Sequence, residues 1–133
     1  MKSKLFAVLG AIVVVLLVSS TLLAHHAGTL YDREHPVTLK GTVTQFVFTN
    51  PHAQIHFDVK DENGNVSNWV AETTSPSALF RLGWNKNTLK FGDMIEVTGA
   101  PFKDGRKVLS IFKLTGGNAP VLTEGADGGP SQP

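Results

Sequence analysis

An all-β domain is what this sequence predicts: a small five-stranded barrel with one short helix between its third and fourth strands. Three observations carry that prediction. Five segments between Val37 and Leu114 have strand character, with apolar and polar residues alternating in the first two. One helical stretch, opened by Ser75-Pro76 and closed by Gly83, falls between the third and fourth of them. The first strand is long, carries Gly41 inside it and changes its apolar face part-way, as a strand does when it serves both halves of a closed barrel.

The chain opens with a leader over residues 1–24. Lys2 and Lys4 precede an apolar run from Leu5 to Val18, and Ser19-Ser20-Thr21 then turns polar before Leu22-Leu23-Ala24. That is the pattern of a secretory signal cut after Ala24. A cut after Ser20 and an uncleaved N-terminal anchor are the alternatives, since Leu5 to Ala24 is long enough to span a bilayer. Each alternative places the rest of the chain outside the cytoplasm. Residues 25–36 form an arm with no clear periodicity.

The barrel domain is expected over residues 37–115. In Val37 to Phe48, Val37, Leu39, Val43 and Val47 share one face, while Thr38, Lys40, Thr42 and Thr44 share the other until Phe46 and Phe48 make it apolar too. Thr49-Asn50-Pro51 ends the strand. Ala53 to Lys60 alternates again, with Ala53, Ile55, Phe57 and Val59 opposite His52, Gln54, His56 and Asp58. Asp61 to Asn65 is a hairpin turn, because Gly64 tolerates positive φ, and Val66 to Glu72 returns. A two-residue Asn63-Gly64 turn would pair Asp58 with Trp69. A type I turn with a glycine bulge would shift the pairing by one and turn Trp69 toward Phe57. Leu79, Phe80 and Leu82 of the helix are expected to supply apolar contacts. Leu89 to Asp93 turns the chain into a fourth strand, Met94 to Gly99, and Lys103 to Arg106 joins it to a fifth, Lys107 to Leu114. Residues 116–133 are mostly Gly, Pro, Ala, Asp and Ser and are expected to be disordered.

Three strands, a short helix and two strands, with a long bent first strand, is the element order of the oligonucleotide/oligosaccharide-binding (OB) fold, a five-stranded Greek-key barrel. A small sandwich is the main alternative. Composition excludes several functions. Two of the 12 cationic residues lie in the leader, so the remainder has ten against 11 acidic residues, a formal charge of −1. No basic field exists to attract nucleic acid or anionic lipid. The chain has no cysteine, hence no disulfide, thiolate metal site or thiol nucleophile. No nucleophile elbow, phosphate loop or dinucleotide fingerprint appears.

His25-His26, Tyr31-Asp32, Pro36 to Val43, Thr49 to His52, Asn68-Trp69, Ser75 to Leu79, Gly83-Trp84 and Leu89 to Asp93 form a distinctive set. In these residues the chain resembles a family of small exported bacterial proteins classed only as a domain of unknown function. Phe91 departs from that pattern, which more often has proline there. The resemblance implies export and a small barrel, and it implies no reaction.

Candidate sites are few. Cleavage after Ala24 would give His25 a free amine beside its imidazole, with His26 adjacent, and His52 at the exit of the loop before strand two could complete a copper or zinc chelate. The plainer reading of His25 and His26 is a solvated arm. His52, His56, Asp58, Trp69 and Glu72 are the candidates on the strand-two and strand-three face, where this fold commonly binds ligands. His52 and His56 are about 13 Å apart along a strand, too far for one metal. In plainer terms, His52 bonds the turn backbone, His56 is solvated beside Asp58, Glu72 ends a strand, and Trp69 and Trp84 are core residues. His35 is an exposed arm residue. The expectation is an exported, non-enzymatic binding module contacting an envelope protein or a small ligand, with no nucleic-acid partner and with membrane contact only through an uncleaved leader. The alternative is a periplasmic copper- or other transition-metal-binding protein using His25, His26 and His52, with copper the one cofactor suggested.

Overall fold

The structure, a computed structural model, describes residues 30–125. In chain order it contains β1 (Val37–Val47), β2 (Gln54–Lys60), β3 (Val66–Glu72), α1 (Pro76–Arg81), β4 (Met94–Pro101), β5 (Val108–Gly116) and β6 (Leu122–Thr123). The sheet order is β3-β2-β1-β4-β5-β6, and a parallel β3–β5 pairing closes the first five strands into the predicted barrel. The segment expected to be a leader, His25 and His26 lie outside the described residues, as do residues 126–133.

β1 does serve both halves. Val37 to Thr42 pair with β4, and Thr42 to Val47 pair with β2. Two local features make this work. A Cβ at Gly41 would lie 2.5 Å from the Asp58 carbonyl oxygen and 2.7 Å from the Phe57 ring, so only glycine fits where the three strands converge. The β1–β2 register then slips between Val43 and Gln45, leaving Thr44 as an unpaired bulge residue. The bulge reverses the alternation. Phe46 therefore lies opposite Ile55 and packs on the core, while Val47 lies opposite Gln54 on the outer side. This corrects the expectation that Val47 shares the face of Val43.

Phe57, Ile55, Leu79, Trp84, Leu109 and Leu114 are wholly buried. α1 packs through Ala78 and Leu79, with the Ser75 side chain accepting from the Ala78 N–H at 3.3 Å and Pro76 in the first turn. Phe80, expected to supply an apolar contact, is 71% exposed, because the buried pair faces the barrel and Phe80 does not. Trp84 has the expected core position, edge-on to Phe46 at 6.0 Å, and its indole N–H has no acceptor among the described residues.

The disorder expected from Gly116 is corrected over residues 116–125. Leu122 is buried against the core, β6 pairs with Lys113 and Leu114, and the Glu124 N–H donates to the Phe112 carbonyl at 2.7 Å. Burial of Leu122 and pairing with β5 together place this short strand on the sheet edge. The arm also has order. Tyr31 bridges to Phe102, and the Asp32 N–H donates to the Pro101 carbonyl at 2.8 Å.

Candidate functional site

The β2–β3 hairpin sets which side chains share a surface. The Gly64 N–H donates to the Asp61 carbonyl at 3.0 Å with φ at +87°, and the Asp61 N–H donates to the Asn65 carbonyl at 2.9 Å. This is the type I turn with a glycine bulge. Asp61 Oδ1 also accepts from the Asn63 and Asn65 backbone N–H groups at 2.9 and 2.8 Å, and Oδ2 from the Asn65 carboxamide at 3.0 Å. The bonds from Asn65, side chain first, hold the Asp61 carboxyl below its ordinary pKa.

That turn fixes Phe57 opposite Trp69, Asp58 opposite Asn68, His56 opposite Val70 and Gln54 opposite Glu72. His56, Asp58 and Glu72 therefore lie on one outer face. Trp69 does not join them. It sits half-buried on the Phe57 side, with the Lys107 ammonium 5.3 Å from its ring centroid. Its candidacy as a platform on the His56 face is corrected by this register. His52 lies at the loop exit, where Nδ1 donates to the Thr73 carbonyl at 3.0 Å when that nitrogen carries the proton. Asn68 donates to Asp58 from its side chain. His56 makes no side-chain hydrogen bond among the described residues.

The arm adds a residue that the reading of individual side chains missed. The Tyr31 hydroxyl donates to Glu72 Oε2, and Gln54 Nε2 donates to Glu72 Oε1 at 3.2 Å. The Tyr31 ring lies 4.5 Å from that of Phe102, and the Arg106 guanidinium lies 4.3 Å from the Phe102 ring centroid. Burial, then the bond to Glu72 and the charge of that carboxylate, push the Tyr31 hydroxyl well above its ordinary pKa, against the opposing charge of Arg106. Arg33 bonds both oxygens of Glu124 at 2.6 and 2.8 Å and lies 4.7 Å from the Phe112 ring centroid. The arm thus touches β3, β4, β5 and the segment after β6. The signal was the Tyr31-Asp32 pair in the resembling pattern, which carried no hint of its partners.

Among the described residues no three His, Cys, Asp or Glu side chains converge to hold a metal ion. His52 offers its Nε2, and His35 is exposed with Nδ1 3.0 Å from the Asp32 carboxylate.

The family model of DUF6152, a family of unknown function, matches residues 12–110. The chain belongs to DUF6152. The match runs from residue 12 to Ser110 in β5 and covers α1 and the whole β2–β3 face. No curated protein matches this DUF6152 chain. Among solved structures it is similar to TiaS in complex with its tRNA, AMPCPP and agmatine, with 20% identity, a TM-score of 0.46, and coverage of 66% of this chain and 20% of that one. A ZRD-deleted mutant of TiaS in complex with agmatine gives 22% identity and a TM-score of 0.42, covering 77% of this chain and 25% of that one. The DUF6152 chain spans only a fifth to a quarter of the length of these structures.

Proposed function

We propose that this DUF6152 member is an exported, non-enzymatic binding module that recognises an envelope protein or a small ligand on the outer face of β2 and β3. One observation carries the reading. Gln54, His56, Asp58 and Glu72 are gathered on that face, and the arm is anchored at its edge by the Tyr31–Glu72 bond. The face offers donors and acceptors on rigid strands, a sound basis for recognition. The leader supports export, and the formal charge of −1 outside the leader argues against a nucleic-acid partner. A photo-crosslinking residue at position 56, with position 40 as control, tests the reading in the native envelope. The expected result is a discrete adduct by intact mass from position 56 alone. Equal or absent labelling at both positions overturns it.

A second reading, a periplasmic copper-binding protein using His25, His26 and His52, is favoured by one detail. His52 Nδ1 is held by the Thr73 carbonyl, which directs its Nε2 lone pair outward in the manner of an oriented metal ligand. Copper titration of the exported protein tests it. Tight binding that is lost when a methionine precedes His25, and weakened in His52→Ala, supports the second reading. Unchanged binding in both variants excludes it.

A further inference from the structure

After α1 the chain makes two tight turns before β4, and the β5–β6 connection lies beside them. Together they border a groove of about 320 Å3, at the small end of the range for ligand sites. Its lining is polar: Asn85, Asn87, Thr88, Lys90, Asp93 and Asn118 carry its chemistry.

Three of these side chains are fixed at one end and free at the other. Asn85 Oδ1 accepts from the Asn87 N–H at 2.8 Å, leaving the Asn85 NH2 as a donor. Thr88 Oγ1 accepts from the Asn85 N–H at 2.8 Å, leaving its own proton. Asp93 Oδ2 accepts from the Lys90 N–H at 2.8 Å, leaving Oδ1. The Asn87 and Asn118 carboxamides and the Lys90 ammonium have no hydrogen bond or ion pair among the described residues. Donors and acceptors are thus mixed on a braced frame, and the charges of Lys90 and Asp93 balance. Such an array suits hydroxyl groups, which both donate and accept, better than a phosphate, which mainly accepts.

Two exposed aromatic residues lie near lining residues in the chain, although neither lines the groove itself. Phe91 follows Lys90 and is 82% exposed; Phe80, whose carbonyl accepts from the Gly83 N–H, is 71% exposed. The Asp93 N–H donates to the Lys90 carbonyl at 3.1 Å and Gly92 has φ +90°, so Lys90–Asp93 is a type II turn with Phe91 at its second position. Proline is favoured there. Phenylalanine supplies neither proline's rigidity nor buried packing, and its ring is open to solvent.

We propose that this groove binds a neutral carbohydrate, with the carboxamides, Lys90 and Asp93 bonding its hydroxyls and the exposed rings stacking on its C–H faces. The site is separate from the β2–β3 face and stands independently of it. Titration of the 15N-labelled exported protein with N,N′-diacetylchitobiose, cellobiose and maltose tests it. Saturable shifts of the Asn85, Asn87 and Asn118 carboxamides are expected with at least one sugar. Asn118→Ala should weaken that binding about tenfold, the effect of losing one or two hydrogen bonds. Phe91→Pro should weaken it while raising thermal stability, which separates loss of the ring from misfolding. Absence of these shifts with all three sugars, shifts confined to β2 and β3, or tighter binding of glucose 6-phosphate each overturns the assignment.

Discussion

Tyr31 and Glu72 stand 41 residues apart in the chain and meet on the outside of the barrel, the hydroxyl donating to the carboxylate. Glu72 is also the last residue of the β3–β5 pairing that closes the barrel, which spans only Val70↔Val108, Ala71↔Leu109 and Glu72↔Ser110. The Tyr31 ring rests on Phe102, just beyond the end of β4. One side chain therefore ties the arm and the end of β4 to β3 across the shortest pairing in the barrel.

Tyr31→Phe keeps the ring on Phe102 and removes only the bond to Glu72. A hydrogen bond to a charged, half-buried acceptor contributes about 1 kcal/mol once solvent exposure is discounted. The urea midpoint should fall accordingly. Hydrogen exchange should quicken most at the seam, where the Val70 N–H donates to the Lys107 carbonyl at 3.0 Å. A uniform change across all five strands would show that the bond does not guard the seam.

The same hydroxyl gives a pH dependence with a definite sign. The chain contains one tyrosine, so phenolate absorbance reads Tyr31 alone. Below the ordinary value of 10.0 both folded and unfolded chains keep the proton, and the stabilisation is complete. Above it the unfolded chain ionises first, so stability falls as pH rises toward the higher folded-state value. Phenolate formation in the folded protein should therefore lag behind that of the urea-unfolded protein. Coincident titration curves would mean that the arm is not docked.

Element order and most of the core could be read from the sequence because alternation and turn residues are local signals. What could not be read depends on contacts distant in the chain. Gly64 suits two hairpin registers, and the packing of Trp69 beside Phe57 accompanies the one adopted. The change of face near Phe46 was visible, but its cause, the bulge at Thr44, is a property of the pairing with β2. The arm has no periodicity, and its order rests on partners in β3, β4, β5 and beyond β6. Hence His56, Asp58 and Glu72 could be assigned to one face from spacing, whereas Tyr31 and the groove at Asn85 could not.

Gly41→Ala tests the convergence of β1, β2 and β4. The added methyl would meet backbone oxygen at 2.5 Å, which cannot move like the end of a flexible side chain. The cost should reach about 3 kcal/mol, the upper part of the range for overpacking. Gly105→Ala is a different case: among the described residues nothing lies within 4 Å, and the penalty comes only from φ +84°. Chemical denaturation should rank Gly41→Ala as clearly the more damaging. The reverse ranking would contradict the strand crossing described above.

Leu122→Ala asks whether β6 belongs to the folded unit. Leu122 is 4% exposed and joins the core cluster from the sheet edge. Truncation should cost about 2–3 kcal/mol, the lower part of the range for buried leucines, since an edge site can relax. The neighbouring ion pair is a contrasting control. Arg33 and Glu124 are 33% and 34% exposed, so Glu124→Ala should cost about 0.5 kcal/mol and less in high salt. Burial, not charge, should therefore dominate the hold on residues 116–125. Equal denaturation midpoints for Leu122→Ala and the parent protein would show that β6 adds nothing to the barrel, and a larger loss in Glu124→Ala would make the ion pair the true anchor.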